Sequence, residues 1–372
     1  MVLTAAVVQH RRRAASPPRT TLRGHGQRSA RSIESTVARP RLLHDRVRPV
    51  CPKPHMSQLD STSARTEPSP LPDNLRSVQP GGGKCYRIEL AWGRVRRWWL
   101  RTFRSGYVAR MAELRRGTVD GAPHEILDPR DLKYCRNQCT CDWAAADDPF
   151  VWRDRLPLAR WGLAEVQLMG YPLLAATLAA AWFYWPLATV PGALLLFVVY
   201  FFRDPPRTIP AEPGQLVSPA DGTIAEVTQL DHDPFVGGPA VRIGIFLSIF
   251  NVHVNRAPAT ARVIRLEYHP GAFLNALDPE SAIRNENLWI GLEEDQAPHR
   301  RLVVRQIAGL IARRIVCNLR SGERVARGHK FGMIKLGSRT ELILPIEEGL
   351  HVAATVNQKV KAGSTVLARY QS

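Results

Sequence analysis

Phe201-Phe202-Arg203-Asp204-Pro205-Pro206-Arg207 is the seam on which the reading of this chain turns. Towards the N-terminus, residues 166–202 hold no charged side chain. Towards the C-terminus, short runs rich in Val and Ile alternate with Gly, Pro and Asp. The uncharged stretch is too long for one membrane span of about 20 residues and short for two. Pro186 and Pro191 interrupt it, so it reads as a tight helical hairpin over about 168–185 and 187–202. Trp182, Tyr184, Trp185, Tyr200, Phe201 and Phe202 are spaced to sit at interfaces. Arg153, Arg155 and Arg160 precede it and Arg203 and Arg207 follow it. Basic flanks on both sides place both ends at the cytoplasmic face of a cell (inner) membrane, with the hairpin either spanning the bilayer or dipping into it. One tilted span or a buried helix pair is the alternative.

Beyond the seam, strands are expected over 215–218, 222–227, 240–249, 261–268, 302–306, 340–344, 352–356 and 365–368. Ile307–Arg314 fits strand or helix. The fold expected for 203–372 is a compact, mainly β domain, a sandwich or half-barrel of α+β type, carried on the membrane-associated helical hairpin.

The net charge of +18 suggests a nucleic-acid binder until it is located. Nearly all of it falls in residues 1–110, and the rest of the chain is close to neutral. A nucleic-acid partner is therefore not expected. Residues 1–85, rich in Arg, Pro, Ser and Thr, lack apolar periodicity and read as disordered, as a transit peptide, or as a reading frame begun too early, with Met111 the alternative start. In 91–110, Trp92, Val95, Trp99 and Phe103 share a helical face among arginines, which suits an anionic membrane surface, or else is a fortuitous cluster in a disordered arm. Residues 111–165 read as a polar linker of unassigned role. Cys135, Cys139 and Cys141 match no common zinc spacing, and reduced thiols are expected.

Three weak signals carry chemistry. Ser218-Pro219-Ala220-Asp221-Gly222 is a hairpin turn whose aspartate is also able to orient an imidazole. In Asn251-Val252-His253-Val254-Asn255-Arg256, His253 is either a structural histidine or a base. Near the C-terminus, Gly332-Met333-Ile334-Lys335-Leu336-Gly337-Ser338-Arg339-Thr340-Glu341 places a serine hydroxyl beside a glycine carbonyl, which is a turn or a nucleophile.

Together with Phe201–Arg207, Tyr268–Ala276 and Arg284-Asn285-Glu286-Asn287, these stretches resemble the short form of phosphatidylserine decarboxylase over about residues 155–370. The resemblance implies a proenzyme that cuts itself between Gly337 and Ser338. The products would be a β chain ending at Gly337 and an α chain of 338–372 that stay associated. Ser338 would become a covalent pyruvoyl group, the only cofactor, with no metal and no PLP. Asp221 and His253 would assist the cleavage, the carboxylate holding the imidazole's tautomer. The pyruvoyl group would form a Schiff base with phosphatidylserine and release carbon dioxide and phosphatidylethanolamine. His253 is also the candidate for proton handling there. The implied partners are phosphatidylserine and membrane lipid; a homo-oligomer is left open. Two departures stand out: Arg339 where the long form has threonine, and Asn251 near a long-form histidine. Arg339 is accordingly a candidate for binding the substrate phosphate or carboxylate.

Two rival classes remain. A biotinyl or lipoyl-like carrier would use Lys335 at a hairpin tip. A zinc endopeptidase of the lysostaphin type needs an H-x-H pair, and His253 has Asn251 and Asn255 at the alternating positions.

Overall fold

In a computed structural model, the structure describes residues 65–275, 278, 280–310, 314–335 and 337–371. Residues 1–64, and with them the expectations for that part of the arm, lie outside the described residues.

The described chain begins as an extended strap. Ser69 N–H donates to the Ile264 carbonyl (2.8 Å) and the Val78 carbonyl accepts from Cys317 N–H (2.9 Å). Leu75 and Val78 are buried in the core. Composition alone places this segment outside the folded part. A strap pairs through its backbone and buries only a few side chains, so it leaves no periodic pattern to read. Two helices follow, α1 (Lys84–Phe103) and α2 (Ser105–Leu114).

Residues 115–162 contain short 3-10 turns, held to the β domain by Arg136–Glu323 (2.6 Å) and by Arg320 donating to the Cys141 carbonyl (2.8 Å). Cys135, Cys139 and Cys141 pack with Ile126 in a small buried cluster, and burial pushes the Cys135 and Cys141 thiols well up. Among the described residues no group of three or more His, Cys, Asp or Glu side chains is placed to hold a metal ion.

α3 (Leu163–Phe183) and α4 (Thr189–Phe201) are joined by a 3-10 turn containing Pro186. Pro191 falls in the first turn of α4, where its missing N–H costs nothing. Small residues let the two helices approach: the Cα of Gly170 faces Leu195, and that of Gly192 faces Thr177. The helix spanning 160–183 is long and apolar enough to cross a membrane. Phe201 and Phe202 end α4 and are buried with Val78, Trp161, Val252 and Met333, so the helix pair is anchored in the β domain.

The β domain contains fourteen strands: β1 (Gln215–Val217), β2 (Gly222–Asp233), β3 (Gly238–Leu247), β4 (Val254–Arg256), β5 (Ala261–His269), β6 (Asn287–Glu294), β7 (Arg301–Ile307), β8 (Arg314–Cys317), β9 (Arg324–Val325), β10 (Lys330–Lys335), β11 (Ser338–Pro345), β12 (Leu350–Val352), β13 (Lys359–Val360) and β14 (Val366–Tyr370). A one-turn helix, α5 (Ser281–Arg284), precedes β6. An eight-stranded sheet, order β13-β2-β3-β11-β7-β6-β5-β9, curls into a half-barrel, accompanied by two three-stranded sheets, β1-β14-β12 and β4-β10-β8. All the pairings are antiparallel.

The β-rich expectation holds. The strand expected at 352–356 instead ends at Val352. In the open segment 307–314, one strand ends at Ile307 and another starts at Arg314. Alternation sets the layers: Ile243, Ile245, Leu247, Val304, Leu342 and Leu344 face the main core, while Ile343 and Val303 face the other side with Trp289 and Phe235.

Candidate active site

Between β10 and β11 the chain leaves one sheet and enters another. β10 pairs with β4 and β8, whereas Ser338 pairs with Leu247 in the large sheet. The change of sheet demands a sharp turn, and Gly337 makes it at φ +61°, in the left-handed region that favours glycine. Gly337 thus directly precedes the residue at which the backbone enters the large sheet.

β4 brings the histidine to this junction. Ile334 N–H donates to the His253 carbonyl (3.2 Å), which ties the two backbones just ahead of the turn. Gly337 N–H then donates to His253 Nε2 (3.3 Å). The other ring nitrogen, Nδ1, lies 2.8 Å from the Asn251 carbonyl. A carbonyl only accepts, so Nδ1 carries the proton and Nε2 the lone pair. The imidazole is 1% exposed and stacks at 4.4 Å on Phe201. Burial lowers its pKa to about 4, so it is neutral at physiological pH. Asn251 is itself braced, its side-chain oxygen accepting from Ser248 N–H and Oγ–H (2.8 Å each).

Ser338 is fully buried, and its Oγ has no hydrogen-bond partner among the described residues. A buried hydroxyl left unpaired costs about 1–3 kcal/mol, so its retention calls for an explanation. On the same face of β11, Thr340 Oγ1 accepts from Asn255 Nδ2 (3.2 Å), and Asn255 Oδ1 accepts from Gln306 (2.8 Å). Sequence reasoning passed over Asn255, Gln306 and the Asn251 carbonyl, because none stands out until β4, β7 and β11 are side by side.

Two residues singled out in the sequence lie elsewhere. Asp221 does not meet His253. Its Oδ2 pairs with Arg207 (2.7 Å) and its Oδ1 accepts from Ala362 N–H (2.8 Å). The main-chain carbonyl of Asn251, rather than a carboxylate, sets the imidazole tautomer. Arg339, next along β11, projects from the opposite face to Ser338. It is buried between Glu226 (2.6 Å) and Glu341 (2.9 Å), the latter also held by Arg305 (2.8 Å). That ladder leaves Arg339 engaged away from the junction.

The seam motif is a clamp: Asp204 pairs with Arg256 (2.9 Å) and Lys330 (2.5 Å), and Arg203 donates to the Phe250 carbonyl (2.8 Å). With both partners of Arg207–Asp221 nearly buried, Asp221→Asn should destabilise the fold by on the order of 3 kcal/mol. Chemical denaturation of the two proteins measures the difference.

Lys335 is 6% exposed and paired with Glu165 of α3, with Gln79 Oε1 at 3.5 Å. A carrier lysine must swing out to its partners, so this burial argues against the carrier reading. A cavity of about 480 Å³ opens here, lined by the apolar Met169, Phe197, Val198 and Phe201 and by the charged Lys84, Glu165, Arg314 and Lys335. A larger cavity, about 570 Å³, lies among Arg136, Asp204 and Arg256; neither cavity is lined by His253 or Ser338, and the first reaches the imidazole through Phe201.

Glu286 is 3% exposed beside Tyr268 and Arg314, and burial raises its pKa to about 7. The folded state thus holds a proton that the unfolded state gives up near pH 4.5, so stability is lost as pH rises from about 4.5 to about 7. Glu286→Gln removes that loss. Its melting temperature should match wild type at pH 5 and exceed it at pH 8, by the equivalent of up to about 3 kcal/mol.

A family model described as phosphatidylserine decarboxylase matches residues 194–368. The chain is 52% identical over 240 residues to a phosphatidylserine decarboxylase proenzyme of Rhodopirellula baltica, covering 64% of this chain and 99% of that protein. The proenzyme of Prosthecochloris aestuarii is 45% identical, covering 50% of this chain and 82% of its own length. That of Symbiobacterium thermophilum is 43% identical, with 54% and 93% covered. The fold and these likenesses define a decarboxylating enzyme. The chain belongs to the phosphatidylserine decarboxylase family.

Proposed function

We propose that this chain is a self-processing, pyruvoyl-dependent phosphatidylserine decarboxylase working at a membrane surface. The observation that carries the reading is the unpaired, fully buried Ser338 hydroxyl at a left-handed glycine whose N–H rests on a neutral histidine. The relatives' designation as proenzymes supports it.

In this reading His253 Nε2 takes the Ser338 proton as Oγ attacks the Gly337 carbonyl. The peptide C–N bond breaks, the nitrogen is protonated, and an ester joins the two residues. Loss of the residue 338 Cα proton then expels the Gly337 carboxylate. The resulting dehydroalanine takes up water and releases ammonia, leaving a keto-acyl N-terminus. The site fits such a group: the hydroxyl it derives from is enclosed and unpartnered among the described residues, and the neutral imidazole of His253 is held at the adjoining Gly337. When present, a pyruvoyl group supplies an electrophilic ketone that draws electrons from the bond to the departing carboxylate. His253 remains beside residue 338 to move a proton to the carbon that loses carbon dioxide.

The cavity next to His253 supports a lipid substrate. Its apolar wall comes from α3 and α4, and Lys84, Arg314 and the Lys335–Glu165 pair line it as well. α3 and α4 would hold the site at the bilayer, with the β domain on the cytoplasmic side.

Intact mass of purified protein tests the proposal. Two polypeptides are expected, the smaller being residues 338–372 with a blocked keto-acyl end, and together they should release carbon dioxide from phosphatidylserine vesicles. A single uncut chain with full activity, or a small fragment with a free amine, overturns it.

A further inference from the structure

α1 lies outside the residues matched by the family, and its two faces are reversed relative to an ordinary surface helix. The inner face is polar. Arg96 and Arg97 both pair with Asp131, whose side chain is fully buried, and Glu89 pairs with Lys133 and Tyr134. Leu100 is buried among them. The outer face is apolar: Ile88, Trp92, Val95, Trp99 and Phe103 recur at helical spacing and are 44–66% exposed, and Trp98 is 56% exposed. Three aromatics and two aliphatics on one exposed stripe form a patch that a soluble surface rarely tolerates.

Two observations identify what covers this stripe. The first is charge. Arg87, Arg94 and Arg101 follow the same helical row as Trp98, so a basic edge, countered at Arg101 by Glu125 (3.1 Å), runs along the apolar stripe, and α1 has no acidic residue in its first turn. Arginine beside tryptophan is the pattern of a helix lying in the headgroup layer of an anionic bilayer. The second is position. Trp92 and Gly93 line the same small cavity as Leu163, Ala164 and Gln167 at the start of α3. α1 therefore lies beside the start of α3, where that helix becomes free of charge, and Leu168, Met169 and Tyr171 just beyond are exposed apolar side chains too.

We infer that α1 is a second membrane contact, an interfacial helix that seats its Ile88–Phe103 stripe in the headgroup region of an anionic bilayer. It lies in the membrane plane, where α3 enters. The ion pairs to Asp131, Lys133 and Tyr134 hold it to the enzyme body, so the body's height above the bilayer is set at two points rather than one. The inference rests on α1 and its neighbours and requires no cleavage chemistry.

The test uses the full chain carrying Ser338→Ala, compared with the same chain bearing Trp92→Phe, Trp98→Phe and Trp99→Phe. The difference between their emission spectra isolates the three α1 tryptophans. With vesicles of phosphatidylcholine and phosphatidylglycerol, that difference spectrum should shift to the blue and be quenched by brominated acyl chains. Arg87→Gln, Arg94→Gln and Arg101→Gln together should weaken partitioning into these vesicles by about 100-fold and leave pure phosphatidylcholine vesicles unaffected. If the difference spectrum ignores lipid, the inference is wrong. If it shifts with protein concentration in the absence of lipid, the stripe is a self-association surface and the inference is again wrong. Neither result bears on Ser338, whose role is read from the wild-type fragments.

Discussion

Ser338→Ala should leave the chain as one polypeptide with no detectable release of carbon dioxide from phosphatidylserine. Both losses come from a single atom, since Oγ is the proposed nucleophile for cleavage and the precursor of the keto group. The same substitution has a thermodynamic signature. Oγ is buried and has no partner among the described residues, so deleting it removes a desolvated hydroxyl and leaves only a small void. Cleaved wild-type protein is a poor reference for this effect because it has lost chain continuity. The proper pair is freshly folded His253→Gln, collected before its slowed cleavage proceeds, against His253→Gln with Ser338→Ala. The doubly substituted chain should be more stable by about 1 kcal/mol in denaturant titration. A loss of stability there would mean that Oγ has a structural partner, and the reactive reading of Ser338 would fail.

His253→Gln is the second large effect. Glutamine retains a side chain able to hydrogen bond to the Asn251 carbonyl but offers no basic nitrogen to the junction. Cleavage should slow by roughly 10²–10⁴-fold, the usual worth of a positioned base. The pH profile separates a base from a packing residue. In wild type, burial holds the imidazole pKa down at about 4, so the neutral form prevails above that value. The cleavage rate should therefore be level from neutral pH down to about pH 5 and fall as pH passes through about 4. In the unfolded chain the histidine takes its proton near pH 6.5. Stability should accordingly decline as pH falls from about 6.5 to about 4, because the unfolded state binds more protons there. A cleavage rate that halves already near pH 6.5 would show a solvated imidazole and contradict the buried geometry.

Much of the β domain was legible from local pattern. β3 sets Val241, Ile243, Ile245 and Leu247 on the main core and β7 sets Leu302 and Val304 there, and periodicity reports that every-second-residue spacing. β10 was missed because it is buried on both faces, which erases alternation. β6 carried a usable signal in Leu288, Ile290 and Leu292 that was overlooked in favour of the polar motif before it. α1 was half legible: its aromatic spacing was visible, but the buried ion pairs that hold it depend on Asp131 and Lys133, distant in sequence.

The candidate site divides in the same way. Ser338, Gly337 and His253 could be nominated from motifs and resemblance because each belongs to a short local string. Their neighbours could not, since side-chain facing depends on register. Ser338 and Arg339 are adjacent in sequence, yet pleating sends one towards the core and the other to a carboxylate ladder. Asp221 looked like an imidazole partner by analogy, and only the approach of residues 207 and 362 shows what it binds.

By itself, then, the sequence determined the uncharged helices, the β-rich domain and the Gly-Ser junction, because each is written in residues close along the chain. The tertiary structure alone decided that the Asn251 carbonyl orients His253, that Lys335 is buried against Glu165, and that α1 turns its aromatic face outward. Those outcomes depend on which distant backbones come into register, and hydrogen bonds and ion pairs of a few ångströms exist only after that register is set.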